Sequence, residues 1–136
     1  MVDKKVVVAL GKRKKSIARA RVKPGKGIVK VNGQPLELMT NEIVRLKIQE
    51  PLIILGDLWK SYDIQVNVHG GGILGQADAA RQAISKGLVS FLGDESKKTL
   101  TEYDRNLLVY DTRRTEPHKP SRSSQGPRRH KQRSKR

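Results

Sequence analysis

The sequence predicts an α+β protein built as a two-layer sandwich and followed by an extended C-terminal tail. Runs of β-branched residues, and runs in which apolar and polar residues alternate, are typical of strands and lie in the first third of the 136 residues. Later in the chain, one further strand and three glycines are followed by a long segment with the apolar spacing of a helix. The last 25 residues contain no aliphatic, aromatic or cysteine side chain, so they have nothing to bury. We therefore expect a globular body over residues 1–111 and an extended tail over residues 112–136, which is ordered only on a partner.

Three strands are predicted near the N-terminus, and together they form a basic β-meander. Residues 6–10 are a β-branched run that stops at Gly11, which indicates a buried strand. Residues 16–23 alternate, so small apolar side chains point to one face and cations to the other. Residues 28–31 form the third strand, and Asn32-Gly33 closes it with a type I′ hairpin signal.

The middle of the chain predicts a helix and then a strand. Thr40 or Asn41 can cap the helix at its start. Pro51 interrupts the pattern because proline removes a helical hydrogen bond, so we expect a short second helix or a loop over residues 52–58. Residues 63–69 alternate strictly between apolar and polar side chains and predict a strand.

The longest helix is predicted after the glycine triplet at residues 70–72. Apolar residues recur every three or four positions across residues 74–92, and Gly93 provides a stop. A further helix over residues 97–104 and a last short strand over residues 107–110 complete the predicted body.

Positive charge is concentrated at the two ends of the chain. The net charge of +16 divides into +11 for residues 4–30, −3 for residues 31–111 and +9 for residues 112–136, with Asp3 as the remainder. Uniform charge for solubility is the simpler explanation, but segregation on this scale is typical of a nucleic-acid footprint. We expect two cationic regions on a near-neutral body, with a tail that spans roughly 80 Å when extended.

Composition excludes several classes of protein. The chain has no cysteine, which fits a reducing cytosol and excludes disulfide scaffolds and thiol chemistry. Its longest apolar run, residues 6–10, is far too short for a membrane span, and the N-terminus lacks a hydrophobic signal region. We expect a soluble intracellular protein with no membrane partner.

The glycine triplet has two interpretations, which are compatible with each other. Backbone N–H groups between a strand and a helix bind anions well, so the triplet can contact an RNA phosphate. It can equally be a tight turn that packs a helix closely against a strand. A Walker loop is excluded because Gly75 is followed by Gln76 and Ala77, and the Rossmann glycine spacing is also missing.

No residue set indicates catalysis, a metal or a cofactor. The three histidines are dispersed, and His69 fits a polar residue at a strand end better than a ligand. Ser16 has no base spaced to activate it, and Asp57 and Asp63 suit turns better than acid–base chemistry. Aromatic residues are sparse, and Trp59 can stack on a base or pack in a core or interface. The cations are therefore suited to binding phosphates and recognising the shape of an RNA rather than to reading its base sequence.

Specific motifs resemble one known family over nearly the whole chain. Residues 70–88, GGGILGQADAARQAISKGL, resemble without a gap the signature of the universal small-subunit ribosomal protein nine. Residues 11–22, GKRKKSIARARV, are similar to that family's N-terminal motif, and the closing Ser134-Lys135-Arg136 is similar to its terminal tripeptide. Residues 111–117, DTRRTEP, resemble the archaeal and eukaryotic branch, and the short length favours an archaeon.

The resemblance implies a fold and a function that composition does not show. It implies a sandwich shared with the second domain of small-subunit ribosomal protein five, including a left-handed β-α-β unit. It also implies a non-enzymatic, cytoplasmic protein of the small ribosomal subunit that binds rRNA in the head beside neighbouring ribosomal proteins. The tail of the family extends to the P-site tRNA, where Arg136 approaches the anticodon stem-loop. The family's tail glycines and alanines are replaced over residues 120–125, which leaves the path of the tail open.

The expected binding residues fall into two groups. For rRNA they are Lys12, Arg13, Lys14, Lys15, Arg19, Arg21, Lys23, Gly70, Gly71, Gly72, Arg113, Arg114, Lys119, Arg122, Arg128 and Arg129. For P-site tRNA they are Ser134, Lys135 and Arg136. Two rival functions stay open: a free-standing nucleic-acid chaperone or compaction protein, and a small-molecule kinase, for which a nucleotide loop and a catalytic acid are missing.

Overall fold

The computed structural model describes residues 5–120 and 126–130. A mixed five-stranded sheet and three α-helices form its body, in agreement with the predicted α+β class. The strands are β1 (Val7–Arg13), β2 (Ser16–Pro24), β3 (Val29–Val31), β4 (Gln34–Pro35) and β5 (Tyr62–His69). The α-helices are α1 (Glu42–Leu55), α2 (Ile73–Leu92) and α3 (Asp94–Tyr103), and 3₁₀ turns span Leu36–Leu38, Gly56–Ser61 and Arg105–Leu107.

The strands lie in the order β1-β2-β5-β3-β4, so the predicted β-meander is wrong. β1 and β2 form a hairpin, and so do β3 and β4 around Asn32 and Gly33, which both have positive φ. β5 inserts between the two hairpins, antiparallel to β2 and parallel to β3. Alternation indicates which side chains of a strand share a face, but it does not identify the neighbouring strand.

The parallel pair β3 and β5 is connected through α1, which makes a β-α-β unit. The left hand of this crossover and the likeness to the second domain of ribosomal protein five stay predictions.

All three helices belong to one layer, and α2 packs directly on β1 and β2. Two glycines allow this close approach. A Cβ at Gly11 would lie 2.0 Å from the Ala79 carbonyl oxygen, and one at Gly87 would lie 2.6 Å from Cγ2 of Val22. The core between the layers contains Ala18, Ala20, Val22, Ile64, Val66, Ala80, Ile84 and Leu88. The opposite face of the sheet has no helix over it within the described residues.

Helix α1 begins where predicted but continues further. The Asn41 side chain caps it by accepting hydrogen bonds from the N–H groups of Ile43 at 3.1 Å and Val44 at 3.3 Å. The expected interruption at Pro51 is wrong, because the helix continues to Leu55. Proline costs one helical hydrogen bond, but the Pro51 ring is fully buried in the core, and this burial offsets the loss.

Strand β1 is longer and more exposed than its sequence predicts. It continues past Gly11 to Arg13 at the edge of the sheet, and Val8 and Leu10 point away from the helices with 63% and 48% of their surface exposed. The interpretation as a buried strand is therefore wrong, because a β-branched run has the same composition at an edge as in a centre.

The C-terminal part of the body also departs from expectation. Helix α3 begins at Asp94 rather than at residue 97. The predicted strand over residues 107–110 is absent from the described chain, where a 3₁₀ turn is followed by a single parallel bridge between Asp111 and Arg13. Residues 112–119 form neither helix nor strand.

Candidate nucleic-acid interface

The uncovered face of the sheet is basic. The alternation of β2 turns Arg19, Arg21 and Lys23 outward, as the sequence predicts, and all three are exposed. Lys30 on β3 joins them, because it pairs with Gln65 of β5, which in turn pairs with Arg21. The four cations therefore lie on β2 and β3, on either side of β5, and share one surface of the sheet.

The cations of this face are not neutralised by the body. Uncharged side chains separate them, since Arg19 pairs with Asn67 and Arg21 with Gln65. Within residues 5–120 and 126–130, none of Arg19, Arg21 and Lys30 makes a salt bridge. The one acid in the row, Asp63, is occupied by the β2–β3 turn.

Asp63 holds this turn together. Its Oδ1 accepts hydrogen bonds from the N–H groups of Lys26 at 2.8 Å, Gly27 at 3.1 Å and Ile28 at 3.1 Å. These backbone donors, with Ile28 first and Lys26 next, lower the pKa of the Asp63 carboxyl, which confirms its expected role in a turn.

The β1–β2 turn adds a second group of cations. Lys12, Lys14 and Lys15 are exposed, and Lys14 occupies the left-handed region with φ of 54°. The backbone of the turn is fixed, because the Lys12 N–H donates to Oε1 of buried Gln82 at 2.8 Å. None of these three lysines makes a salt bridge with any described residue.

The glycine triplet packs against the same turn. A Cβ at Gly70 would lie 2.5 Å from the Lys15 carbonyl oxygen, and one at Gly71 would lie 2.2 Å from Oγ of Ser16. The buried Ser16 hydroxyl donates to the Gly70 carbonyl at 2.9 Å. The structure thus supports the tight-turn interpretation for Gly70 and Gly71, and it gives Ser16 a structural task.

Gly72 differs from its two neighbours. It begins α2 without a side-chain cap, its φ of −95° is open to any residue, and no atom lies within 4 Å of a Cβ placed there. Gly72 borders an open cleft of about 690 Å³ together with Lys14, Lys15 and the first turn of α2. The phosphate interpretation of the triplet therefore depends on Gly72.

The start of the tail is joined to β1 by Arg13. Its Nη1 lies 2.9 Å from Oδ2 of Asp111, and its Nε lies 3.8 Å from Oδ2 of Asp78. The first contact is an ion pair rather than an aligned hydrogen bond. Arg113 also binds Asp111, with Nη2 at 2.7 Å from Oδ2, and its hydrogen bonds are the main reason why the pKa of Asp111 lies well below its usual range.

Arg13 is thus more buried than the other expected rRNA-binding cations of the described chain, which are exposed. Its side chain is 19% exposed, and the carboxylates of Asp111 and Asp78 lie beside its guanidinium. Sequence reasoning missed Asp111 and Asp78, although Asp111 is the last acid before the tail and its position there was a signal. Asp78 had no such signal, because only the packing of α2 brings it to Arg13.

The remaining tail cations have varied surroundings. Arg114 donates from Nη1 to the Lys14 carbonyl, which holds the tail beside the β1–β2 turn. Glu116 binds Lys119 at 3.2 Å and Arg128 at 2.8 Å, while Arg129 is exposed. The expected contacts Arg122, Ser134, Lys135 and Arg136 lie outside the described residues.

Other candidate sites contribute little. In the described part of the chain, no three His, Cys, Asp or Glu side chains cluster to hold a metal ion, and no helix is long and apolar enough to cross a membrane. His69 is exposed at the end of β5. Trp59 is half-buried against the core, which favours packing over base stacking.

Comparison with known proteins decides the family. A profile of ribosomal protein S9/S16 matches residues 11–136. The chain belongs to this family. It is 49% identical over 131 residues to the small ribosomal subunit protein uS9 of Methanococcus maripaludis strain C7, with 96% of this chain and 98% of the relative covered. It is 54% identical over 121 residues to the uS9 protein of Desulfurococcus amylolyticus, with 88% and 86% covered.

Membership of the uS9 family confirms the resemblance predicted from the motifs, and the archaeal relatives agree with the predicted archaeal affinity. Members of this family are structural proteins of the small ribosomal subunit and are not enzymes. The chain is therefore a ribosomal protein that acts in translation at the cytoplasmic ribosome.

Proposed function

We propose that the chain binds small-subunit rRNA in the head of the subunit through the uncovered face of its sheet and the β1–β2 turn. The observation that carries this proposal is the row of exposed cations Arg19, Arg21 and Lys30, which make no salt bridge within the described residues and lie on the uncovered face of the sheet. A polyanion gains most where cations have no competing carboxylate. Lys12, Lys14, Lys15 and Lys23 extend this surface, and Gly72 lets a phosphate approach the backbone at α2.

Residues 112–136 act as a separate tail on a body of residues 1–111. The tail starts at the Arg13–Asp111 ion pair, runs past the β1–β2 turn and binds rRNA along its length through Arg113, Arg114, Lys119, Arg122, Arg128 and Arg129. Its tip, Ser134 to Arg136, reaches the anticodon stem-loop of P-site tRNA and stabilises it by charge. Arg13 positions the tail and does not bind RNA directly.

Deleting residues 134–136 tests whether the tip of the tail binds tRNA while the body holds the protein in the subunit. We expect weaker P-site tRNA binding and more frame errors, while the variant still enters the small subunit. Failure of assembly with normal tRNA binding would contradict this division.

The alternative function, a free-standing nucleic-acid chaperone, is tested by washing small subunits at high salt concentration. A loosely bound chaperone is held by counterion release and leaves the subunit as the salt concentration rises. An integral constituent cofractionates with small subunits after a high-salt wash, which is the result we expect.

A further inference from the structure

The basic face of the sheet contains a cavity beside the β2–β3 turn. Its volume is about 230 Å³, and the residues that line it include Arg21, Lys23, Lys30, Asp63, Gln65 and Ile28. One water molecule occupies about 30 Å³ of liquid, whereas the pocket of a drug-sized ligand starts at roughly 300 Å³. The cavity therefore fits a chemical group of intermediate size.

The charge of the cavity favours an anionic ligand. Three cations and one carboxylate line it, which gives a net charge of +2. The carboxylate, Asp63, already accepts three backbone hydrogen bonds through Oδ1. None of Arg21, Lys23 and Lys30 makes a salt bridge with a described residue. A polyanion can therefore bind these cations without displacing a carboxylate from them.

Two features of the cavity are not explained by phosphate binding. Gln65 contributes a neutral amide, which makes no hydrogen bond with any described residue. Ile28, which is 49% exposed, and the buried Ile64 contribute apolar surface. A phosphate gains nothing from apolar surface. A nucleobase has apolar faces and a polar edge, which an amide can bind through its donor and its acceptor together.

The register of the sheet places Gln65 between two of the cations. Gln65 of β5 pairs with Arg21 of β2 on one side and with Lys30 of β3 on the other. Side chains paired in this way start about 5 Å apart. A base bound by the Gln65 amide would therefore have its flanking phosphates within reach of both cations, and an arginine guanidinium can also stack on a base.

We propose that this cavity holds one unpaired base of the rRNA. The Gln65 amide binds the edge of the base, Ile28 contacts its face, and Arg21 and Lys30 bind the flanking phosphates. The inference rests on the proposed function, because it names the feature of the RNA that the same face recognises. It gives that face a preference for RNA with unpaired bases, since the stacked bases of a duplex cannot enter a cavity.

Gln65 and Asn67 provide matched positions for a test. Both are exposed amides on β5, and each pairs with an arginine of β2, but only Gln65 lines the cavity. Gln65→Met and Asn67→Leu each remove the amide, nearly keep the size of the side chain and leave the charge unchanged. Affinity of the full chain is measured against salt concentration for two RNAs, a head-domain fragment of small-subunit rRNA and a fully paired duplex of the same length.

We expect Gln65→Met to lower the affinity for the rRNA fragment about tenfold. The slope of log affinity against log salt should stay that of the wild type, because no cation is lost. Affinity for the duplex should not change, and Asn67→Leu should match the wild type on both RNAs. Unchanged affinity of Gln65→Met for the fragment would overturn the proposal and leave the cavity to a phosphate or to an acidic segment of a protein. An equal loss on both RNAs would also overturn it.

A double-mutant cycle gives the second readout. Ile28→Ala trims the apolar wall, and Leu10→Ala is its control, because Leu10 has a similar exposure of 48% beside Arg19 on the basic face but does not line the cavity. If Gln65 and Ile28 contact one base, Gln65→Met with Ile28→Ala loses less affinity for the fragment than the product of the two single losses. Gln65→Met with Leu10→Ala should show no such coupling.

Equal behaviour of the two cycles would overturn the proposal. All the substituted side chains are exposed, so the variants should keep the melting temperature of the wild type. Failure of the wild-type chain to bind the rRNA fragment would instead contradict the proposed function, so the two failures are distinguishable.

Discussion

Arg13 Nη1 lies 2.9 Å from Asp111 Oδ2, and this ion pair joins the end of the first strand to the residue at which the tail begins. The two residues also form an isolated parallel bridge through their backbones. The direction in which the tail leaves the body is therefore set by side-chain and main-chain contacts together.

Asp111→Asn should loosen the start of the tail. The change keeps the shape of the side chain but removes the charge that Arg13 and Arg113 share. We expect faster hydrogen exchange over residues 111–119 with the core unchanged. Asp57→Asn is the control, because Asp57 pairs with Lys60 in an exposed contact that contributes little. Identical exchange in both variants would show that the ion pair does not hold the tail.

Gly71→Ala and Gly72→Ala separate packing from RNA contact in the glycine triplet. Gly71 has φ of +66° and a Cβ there would lie 2.2 Å from Ser16 Oγ, so we expect a loss of stability of more than about 1 kcal/mol. Gly72→Ala meets no atom and should leave the melting temperature unchanged.

The same pair gives a second result when rRNA binding is measured. If a phosphate approaches the Gly72 backbone, Gly72→Ala lowers the affinity for rRNA without changing stability. Unchanged affinity would confine the triplet to the role of a tight turn.

The stability contribution of Asp63 should depend on pH. Its folded pKa lies below the value of about 3.9 in an unfolded chain. The contribution is therefore complete above pH about 4 and is lost as the pH falls through the folded pKa. We expect Asp63→Asn to melt at a lower temperature than the wild type at pH 7, with a gap that narrows below pH about 4. A gap that widens on acidification would contradict this sign.

Ser16→Ala tests the buried contact between the β1–β2 turn and the glycine triplet. The Ser16 hydroxyl is 1% exposed and donates to the Gly70 carbonyl. Removing it costs about 1 kcal/mol of the free energy of unfolding, measured by urea denaturation. Ser90→Ala is the control, because its hydroxyl only bonds within the exposed side of α2. An equal loss of unfolding free energy in the two variants would show that the hydrogen bond from Ser16 to Gly70 has no special role in stability.

The sequence predicted the local features of the fold well, because they depend on neighbouring residues. The alternation of β2 correctly assigned Arg19 and Arg21 to one face, and the Asn41 cap follows from a short polar side chain before an apolar pattern. Pro51 was misjudged because the cost of its missing hydrogen bond is local, whereas the gain from burying its ring depends on the rest of the core.

Contacts between residues far apart in the chain could not be predicted from the spacing of apolar and polar residues. The place of β5 between two hairpins and the Arg13–Asp111 contact join residues far apart in the chain, and no local periodicity records them. Among the candidate RNA-binding cations, composition also could not separate Arg13, which binds carboxylates, from Arg19, which is open. Both are arginines of the same basic segment.

The salt dependence of rRNA binding tests the central claim most directly. Arg19→Gln with Arg21→Gln removes two cations from the uncovered sheet face, and Lys97→Gln with Lys98→Gln removes two exposed cations from α3. Affinity for a head-domain fragment of small-subunit rRNA is measured against salt concentration. The sheet variant should lose about 1.4 to 1.8 from the slope of log affinity against log salt, and the helix variant should keep the wild-type slope. Equal slopes in the two variants would contradict the assignment of the basic sheet face to RNA.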